Sequence, residues 1–187
     1  MEWASWGISN ITEEFIQNEK LQKQYKEKYK KFKRFRSEII EAALEIENIL
    51  TTVLLHFFVG QDYSRHKLLR SFIFDAEFCT FMQKRKMLSQ MFEMFPKSFD
   101  FFSPEESKKL RQHINNIVLE RNIFAHGNMF IDARDGSITI EYYQGGAKRE
   151  KIEEKRIRDT LKQCISSQKM LFKLNEFLRN NRLELAD

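Results

Sequence analysis

The sequence predicts an all-α protein, an up-and-down helical bundle with a small β-hairpin inserted before the C-terminal helix. Three observations carry that reading. Long stretches repeat apolar residues every three or four positions, the period of a helix with one buried stripe. Only 6 glycines and 2 prolines interrupt 187 residues, of which 42% are apolar and 32% charged, a composition suited to long helices. One late segment changes to short apolar runs around an Asp-Gly turn. The length is that of one domain with a real core. Within it we distinguish a basic N-terminal helix (1–36), core helices (37–127), the hairpin (128–151) and a closing helix (152–187).

The first helix is predicted over 11–35. From Lys20 to Arg36 it holds nine Lys/Arg against one acid, Glu27. Tyr25, Tyr29 and Phe32 recur at helical spacing, so the rings form one stripe and the cations cover the remainder. Two compatible uses are open. The rings pack and the lysines are a solvated face, or Lys26, Lys30, Lys33 and Arg34 track RNA phosphates while the tyrosines stack on bases.

A second helix, 37–58, carries Ile39, Ala43, Ile46, Ile49, Leu50, Val53 and Phe57, the strongest core stripe in the chain. Its Glu47 and Asn48 either face solvent, as acids and amides usually do, or face Arg121 from a neighbouring helix. Gly60-Gln61-Asp62 closes it, with a short helical segment over 64–72. The third main helix, 75–95, offers Phe78, Phe81, Met82, Leu88, Met91 and Phe92 to the core and stops at Pro96. The apolar stretch 49–59 is interrupted by Thr51, Thr52 and His56, short of the ~20 residues of a membrane span. Met1-Glu2-Trp3 does not open a leader. Cys79 and Cys164 lack metal spacing and fit reduced, buried thiols. The expectation is a cytoplasmic protein with no membrane contact.

The next helix has a legible start. Ser103-Pro104-Glu105-Glu106 is a capping box with proline at the first helical position. Leu110, Ile114, Ile117, Val118, Arg121 and Phe124 continue as one stripe, and Gly127 is expected to end the helix in the left-handed conformation. Along its last turns runs Arg121-Asn122-Ile123-Phe124-Ala125-His126-Gly127. Asn122 and His126, four apart, share a face. Arg121 lies ~100° to one side, on the apolar stripe, where a guanidinium needs a partner or a wet crevice. In the last turn the helix dipole favours protonated His126, which would poise the imidazole near neutral pH. A permanent cation, an amide and an imidazole are the groups that hold a phosphodiester and move protons without a metal.

After the motif, strands over 129–133 and 138–143 flank Arg134-Asp135-Gly136-Ser137. A third short strand over 147–151 follows Gln144-Gly145-Gly146. This hairpin is open to three roles: covering a cleft, supplying Tyr142 or Tyr143, or extending a dimer interface. A final helix over 153–180 uses Ile157, Leu161, Ile165, Met170, Leu171, Leu174 and Phe177.

The formal charge of +5 and pI near 9.1 permit attraction to nucleic acid. His56, His66 and His113 do not assemble the roughly four ligands of a zinc site. A Gly-rich phosphate loop and a nucleophile elbow are both missing. Zinc chemistry and ATP use are therefore set aside, and no cofactor or metal is expected.

The string Arg-Asn-x-Phe-Ala-His-Gly at 121–127, closing a capped amphipathic helix, resembles the signature of the HEPN superfamily. The resemblance extends over the helices at 38–58 and 75–95, about the middle half of the chain. It implies a short up-and-down bundle, commonly dimeric, and a metal-independent endoribonuclease of the toxin–antitoxin or anti-phage kind. It also implies Arg121 and His126 as the catalytic pair, with Asn122 in support. RNA, a second copy of the chain and a nucleotidyltransferase-type antitoxin are the partners implied. A non-catalytic HEPN-like module binding RNA, a nucleotide or a protein is the alternative. The basic N-terminal helix and the hairpin are not general features of that superfamily.

Overall fold

A computed structural model describes residues 7–99 and 101–181. Met1, Glu2 and Trp3, considered above for a leader, lie outside them, as do 182–187. The elements run β1 (Ile8–Ser9), α1 (Glu13–Gln17), α2 (Glu19–Val59), α3 (Tyr63–Leu69), α4 (Phe81–Met94), α5 (Pro104–His126), β2 (Asn128–Asp132), β3 (Ile138–Tyr143), β4 (Ala147–Lys151) and α6 (Glu154–Asn180). A π-helical turn follows α3, and a 3-10 turn follows α4. Of the described residues 72% are helical. The expected hairpin belongs to a four-stranded sheet ordered β1-β2-β3-β4, so the architecture is mostly helical, with a β layer of its own.

The chain forms two compact units, one from 1–41 and 119–161, the other from 42–118 and 162–187. Helices α2, α5 and α6 contribute residues to both.

In the first unit the sheet supports an aromatic core. β1 runs parallel to β2, with Ile8 opposite Ile131. β2 and β3 are antiparallel with Met129 opposite Ile140, and β3 pairs β4 with Tyr142 opposite Lys148. β4 is the outer strand. The Asp-Gly turn forms where expected. Gly136 sits at φ +63, and a Cβ there would fall 2.6 Å from the Tyr25 ring, so glycine is required by conformation and by space. The Asp135 carboxylate accepts from the Ser137 amide at 2.8 Å, the local bond that suits aspartate to turns.

Phe15, Tyr25, Tyr29, Phe32 and Ile39 pack with Phe124, Ile131, Ile138, Ile140 and Ile157. This decides the use of the ring stripe. Tyr25 and Tyr29 are only 9% and 6% exposed. Tyr25 stacks on Phe15 at 5.7 Å, and the Tyr29 hydroxyl donates to the Met129 carbonyl at 3.1 Å. Burial pushes both phenols above their usual range. They are core rings, unavailable for stacking on bases.

The break expected near residue 36 does not occur; α2 is one helix of 41 residues. Neither Gly nor Pro stands at 36–37, and the stripe continues without a phase change from Phe32 through Ile39 to Ala43 and Ile46, all buried. The break lies earlier. Thr12 caps α1 by accepting from the Phe15 amide at 3.2 Å, and Asn18 opens α2 by accepting from the Leu21 amide at 3.0 Å, each satisfying an otherwise orphaned N–H.

The second unit is built on Ala43, Ile46, Leu50, Val53 and Leu54 of α2, packed with Leu88, Leu110, Ile114, Ile117, Leu171 and Leu174. An 18-residue window of α2 reaches mean hydropathy 1.5. By length and composition the helix could cross a membrane, contrary to the reading of 49–59 alone; here Leu50, Val53, Leu54 and Leu55 are core residues. The capping box of α5 forms in full: the Ser103 amide donates to Glu106 Oε2 at 2.9 Å and the Glu106 amide to Ser103 Oγ at 3.1 Å. Cys79 and Cys164 are free and buried, and burial raises both thiols, Cys164 to about 11.

Three expectations in this unit are corrected. α4 begins at Phe81 behind a Thr80 cap that accepts from the Gln83 amide at 3.4 Å. Phe78 therefore lies before the helix, outside its periodicity, and is 67% exposed. Ile165, expected in the core, is exposed on α6, because Cys164 beside it takes the inward position. Glu47, read as open to solvent or as a candidate to face Arg121, is instead largely buried and takes Lys84 as partner at 2.9 Å.

Candidate functional site

The motif residues sit where α5 meets the sheet of the first unit. α5 ends at His126, and β2 begins only one residue after Gly127. Gly127 ends the helix for a reason the sequence did not reveal. Its φ is not in the left-handed region. Its amide donates to the Ile123 carbonyl at 2.8 Å, and an added Cβ would lie 2.5 Å from that oxygen and 2.6 Å from Ile140 Cγ1. Glycine is there so that helix and strand can approach.

A second support comes from α2. Arg36 Nη2 donates to the Ala125 carbonyl at 3.0 Å, satisfying one of the acceptors a helix C-terminus leaves open. A third is ionic. Glu120, directly before Arg121, accepts from Arg156 Nε at 3.0 Å and Nη2 at 2.8 Å. Arg156 Nη1 also reaches Glu150 at 2.7 Å, and the Tyr142 hydroxyl donates to the same Glu150 carboxylate. That bond holds Glu150 below the usual carboxylate range and pushes the Tyr142 hydroxyl up. The end of α5, the start of α6 and strands β3 and β4 are thereby tied together.

On this platform Arg121 Nη1 donates to Asn122 Oδ1 at 3.0 Å. The Arg121 guanidinium is half-buried, and its Nε, shielded from water, has no hydrogen-bond partner among the described residues. Asn122 and His126 are both exposed, on the shared face their spacing predicted. His126 lines a cleft of about 540 Å³ together with Asn128, Glu141, Tyr142, Tyr143, Ala147, Lys148 and Arg149. Tyr143 is 83% exposed, and Arg149 Nη1 lies 3.3 Å from Glu141.

The predicted RNA-binding cations are placed apart from the cleft lining. Lys26, Lys30, Lys33 and Arg34 are exposed on α2, and none lines the cleft. Lys30 pairs with Glu27 and Arg34 with Glu38, each at 2.9 Å, and Lys33 lies over the Tyr29 ring at 5.2 Å. Sequence reasoning singled out Tyr142 and Tyr143 but missed Asn128, which lies two residues after His126 at the start of β2, and Glu141, Lys148 and Arg149, which reach the cleft only through the pairing of β2, β3 and β4. Arg36 was also missed, although it closes the basic run.

In the second unit the His56 and His66 rings meet edge-to-face at 4.8 Å, nearer than their intervening turn suggested. His56 Nδ1 bonds to Asn175 Oδ1 at 2.7 Å, and burial lowers its tendency to protonate. Among the described residues no three His, Cys, Asp or Glu side chains converge as metal ligands. Neither a family model, nor a curated protein, nor a solved structure matches the chain.

Proposed function

We propose that this chain is a metal-independent endoribonuclease of the HEPN type, acting in the cytoplasm as a homodimer and serving as a toxin or phage-defence effector. One observation carries the reading: a rigidly supported helix end presents His126 at the rim of a cleft, with Arg121 held by Asn122 one turn before it. Cleavage through the RNA 2′-hydroxyl needs a base for that hydroxyl and an acid for the leaving oxygen. O2′ attacks phosphorus, the P–O5′ bond breaks, and O5′ takes a proton, leaving a 2′,3′-cyclic phosphate and a 5′-hydroxyl. One chain offers one motif imidazole, and a two-fold dimer supplies the second. Arg121 would neutralise the phosphate as its charge grows, and Asn122 would fix the guanidinium.

The test is incubation of the purified protein with labelled RNA in EDTA. Cyclic-phosphate ends that vanish in His126→Ala and Arg121→Ala support the reading; cleavage that persists in either variant ends it. A non-catalytic RNA- or nucleotide-binding module is the second reading, favoured by one observation: Arg121 is not among the residues that line the cleft with His126. Salt-sensitive RNA binding without cleavage would select it. A dedicated antitoxin of nucleotidyltransferase type would show itself by suppressing the cleavage when mixed with the protein.

A further inference from the structure

The strongest unassigned feature is the part of the cleft that the helix motif does not supply. Across from His126 it is made by Glu141, Tyr142 and Tyr143 of β3 and Ala147, Lys148 and Arg149 of β4. Tyr143 stands on the last residue of β3 opposite Ala147, so the small partner leaves the ring uncovered. An aromatic face this open contributes nothing to the core, and its exposure costs water contact that an interior ring avoids. Lys148 and Arg149 follow on the adjoining strand, both exposed. The one acid in the lining, Glu141, sits 3.3 Å from Arg149, so of the two cations in the lining Lys148 carries the net positive charge. A flat ring, two cations and a cavity within the ~300–1,000 Å³ range of small-ligand pockets together match one unstacked nucleotide and its phosphates.

We propose that this cleft seats a single unpaired ribonucleotide next to the scissile phosphate, stacked on Tyr143 and held through its phosphates by Lys148 and Arg149. The proposal rests on the endoribonuclease reading and names its substrate class: single-stranded RNA, because a base inside a duplex must first be unpaired and unstacked, at a cost in free energy, to reach the ring. Tyr143 is a positioning residue, acting on the nucleotide's orientation and not on its protons. Stacking tolerates any base, so the seat selects for strand state more than for sequence.

The experiment uses the full chain carrying His126→Ala, so that RNA survives the measurement. Binding of a fluorescein-labelled 12-nucleotide RNA is followed by anisotropy and compared with the same strand in a duplex. The single strand should bind at least tenfold tighter than the duplex. Adding Tyr143→Ala should weaken single-strand binding by roughly tenfold or more, while Tyr143→Phe, which keeps the ring, should bind normally. Removing Lys148 and Arg149 should reduce the salt dependence by about 0.7 per lost phosphate contact. Equal affinity in Tyr143→Ala, or equal affinity for duplex and single strand, overturns the nucleotide seat even if wild-type protein cuts RNA. Loss of binding in Tyr143→Ala with no cutting by the wild type supports the seat and ends the nuclease reading. No RNA binding by any form overturns both.

Discussion

Arg36 and Ala125 are joined by a 3.0 Å hydrogen bond from the guanidinium Nη2 to a carbonyl in the last turn of α5. They are 89 residues apart in sequence, and the bond caps the turn that carries His126. Arg36→Ala should destabilise the protein by about 1.5–3 kcal/mol, the range for a hydrogen bond to a charged group. Urea denaturation measures the change, and amide exchange at 124–126 should rise first. An unchanged midpoint and unchanged exchange would show that water replaces the guanidinium without loss.

Gly127→Ala tests the close approach of helix and strand. The new methyl would meet the Ile123 carbonyl and Ile140, and overpacking of this kind costs about 1–3 kcal/mol. The same denaturation curve reads the loss. Because the φ is ordinary, the effect reports crowding and not backbone strain.

His126→Ala and Arg121→Ala should differ in what they disturb. His126 is exposed at the cleft, so its removal should leave the melting temperature unchanged and lower the cleavage rate by about 10²–10⁴ if it moves protons. Arg121 is half-buried, so its alanine variant should lose cleavage with a small drop in melting temperature. Single-turnover rates and thermal melts on the same preparations separate the two effects.

The Asp132 carboxylate accepts from the Arg134 side chain and amide and from Asn10. These bonds, led by the Arg134 side chain, hold it well below the usual carboxylate range. A depressed folded value means that its stabilisation is complete above the unfolded value of about 3.9 and is lost as pH falls further. Thermal melts of wild type and Asp132→Asn should therefore differ at pH 7 and converge toward pH 2. A gap that stays constant with pH would remove the carboxylate as its cause.

Lys84 and Glu47 form an ion pair with side chains only 8% and 18% exposed. Lys84→Met alone leaves a partly buried carboxylate without its cation and should cost about 3–5 kcal/mol. The double variant with Glu47→Leu should recover much of that loss. Equal stability of single and double variants would show that water already screens Glu47.

The sequence was most informative where structure is local. The Ser103–Glu106 box, the Asp-Gly turn and the stripe from Ile39 to Val53 each depend on neighbours within a turn or two. It was least informative where distant segments meet. β1 is two residues long and exists through pairing with β2, more than 120 positions away. Gly127 owes its identity to Ile140 across the helix–strand junction. The site divides in the same manner. Arg121, Asn122 and His126 lie along one helix, where spacing alone can relate them, whereas Lys148 and Arg149 join His126 at the cleft only after two strands pair in register. Tyr25 and Tyr29 show the reverse error: a stripe legible as such was open to two uses until its buried side was known.

The outer strand β4 has one consequence beyond the cleft. Its free edge presents main-chain donors and acceptors that another ribbon could copy, a common start of fibrous clumping. Lys148, Arg149 and Lys151 stand on that strand, Arg149 paired with Glu141 and Lys151 with Asp135, and charged side chains of this kind make an edge a poor template for pairing. Charge on an outer strand of this kind works against one molecule knitting to the next when the protein is concentrated.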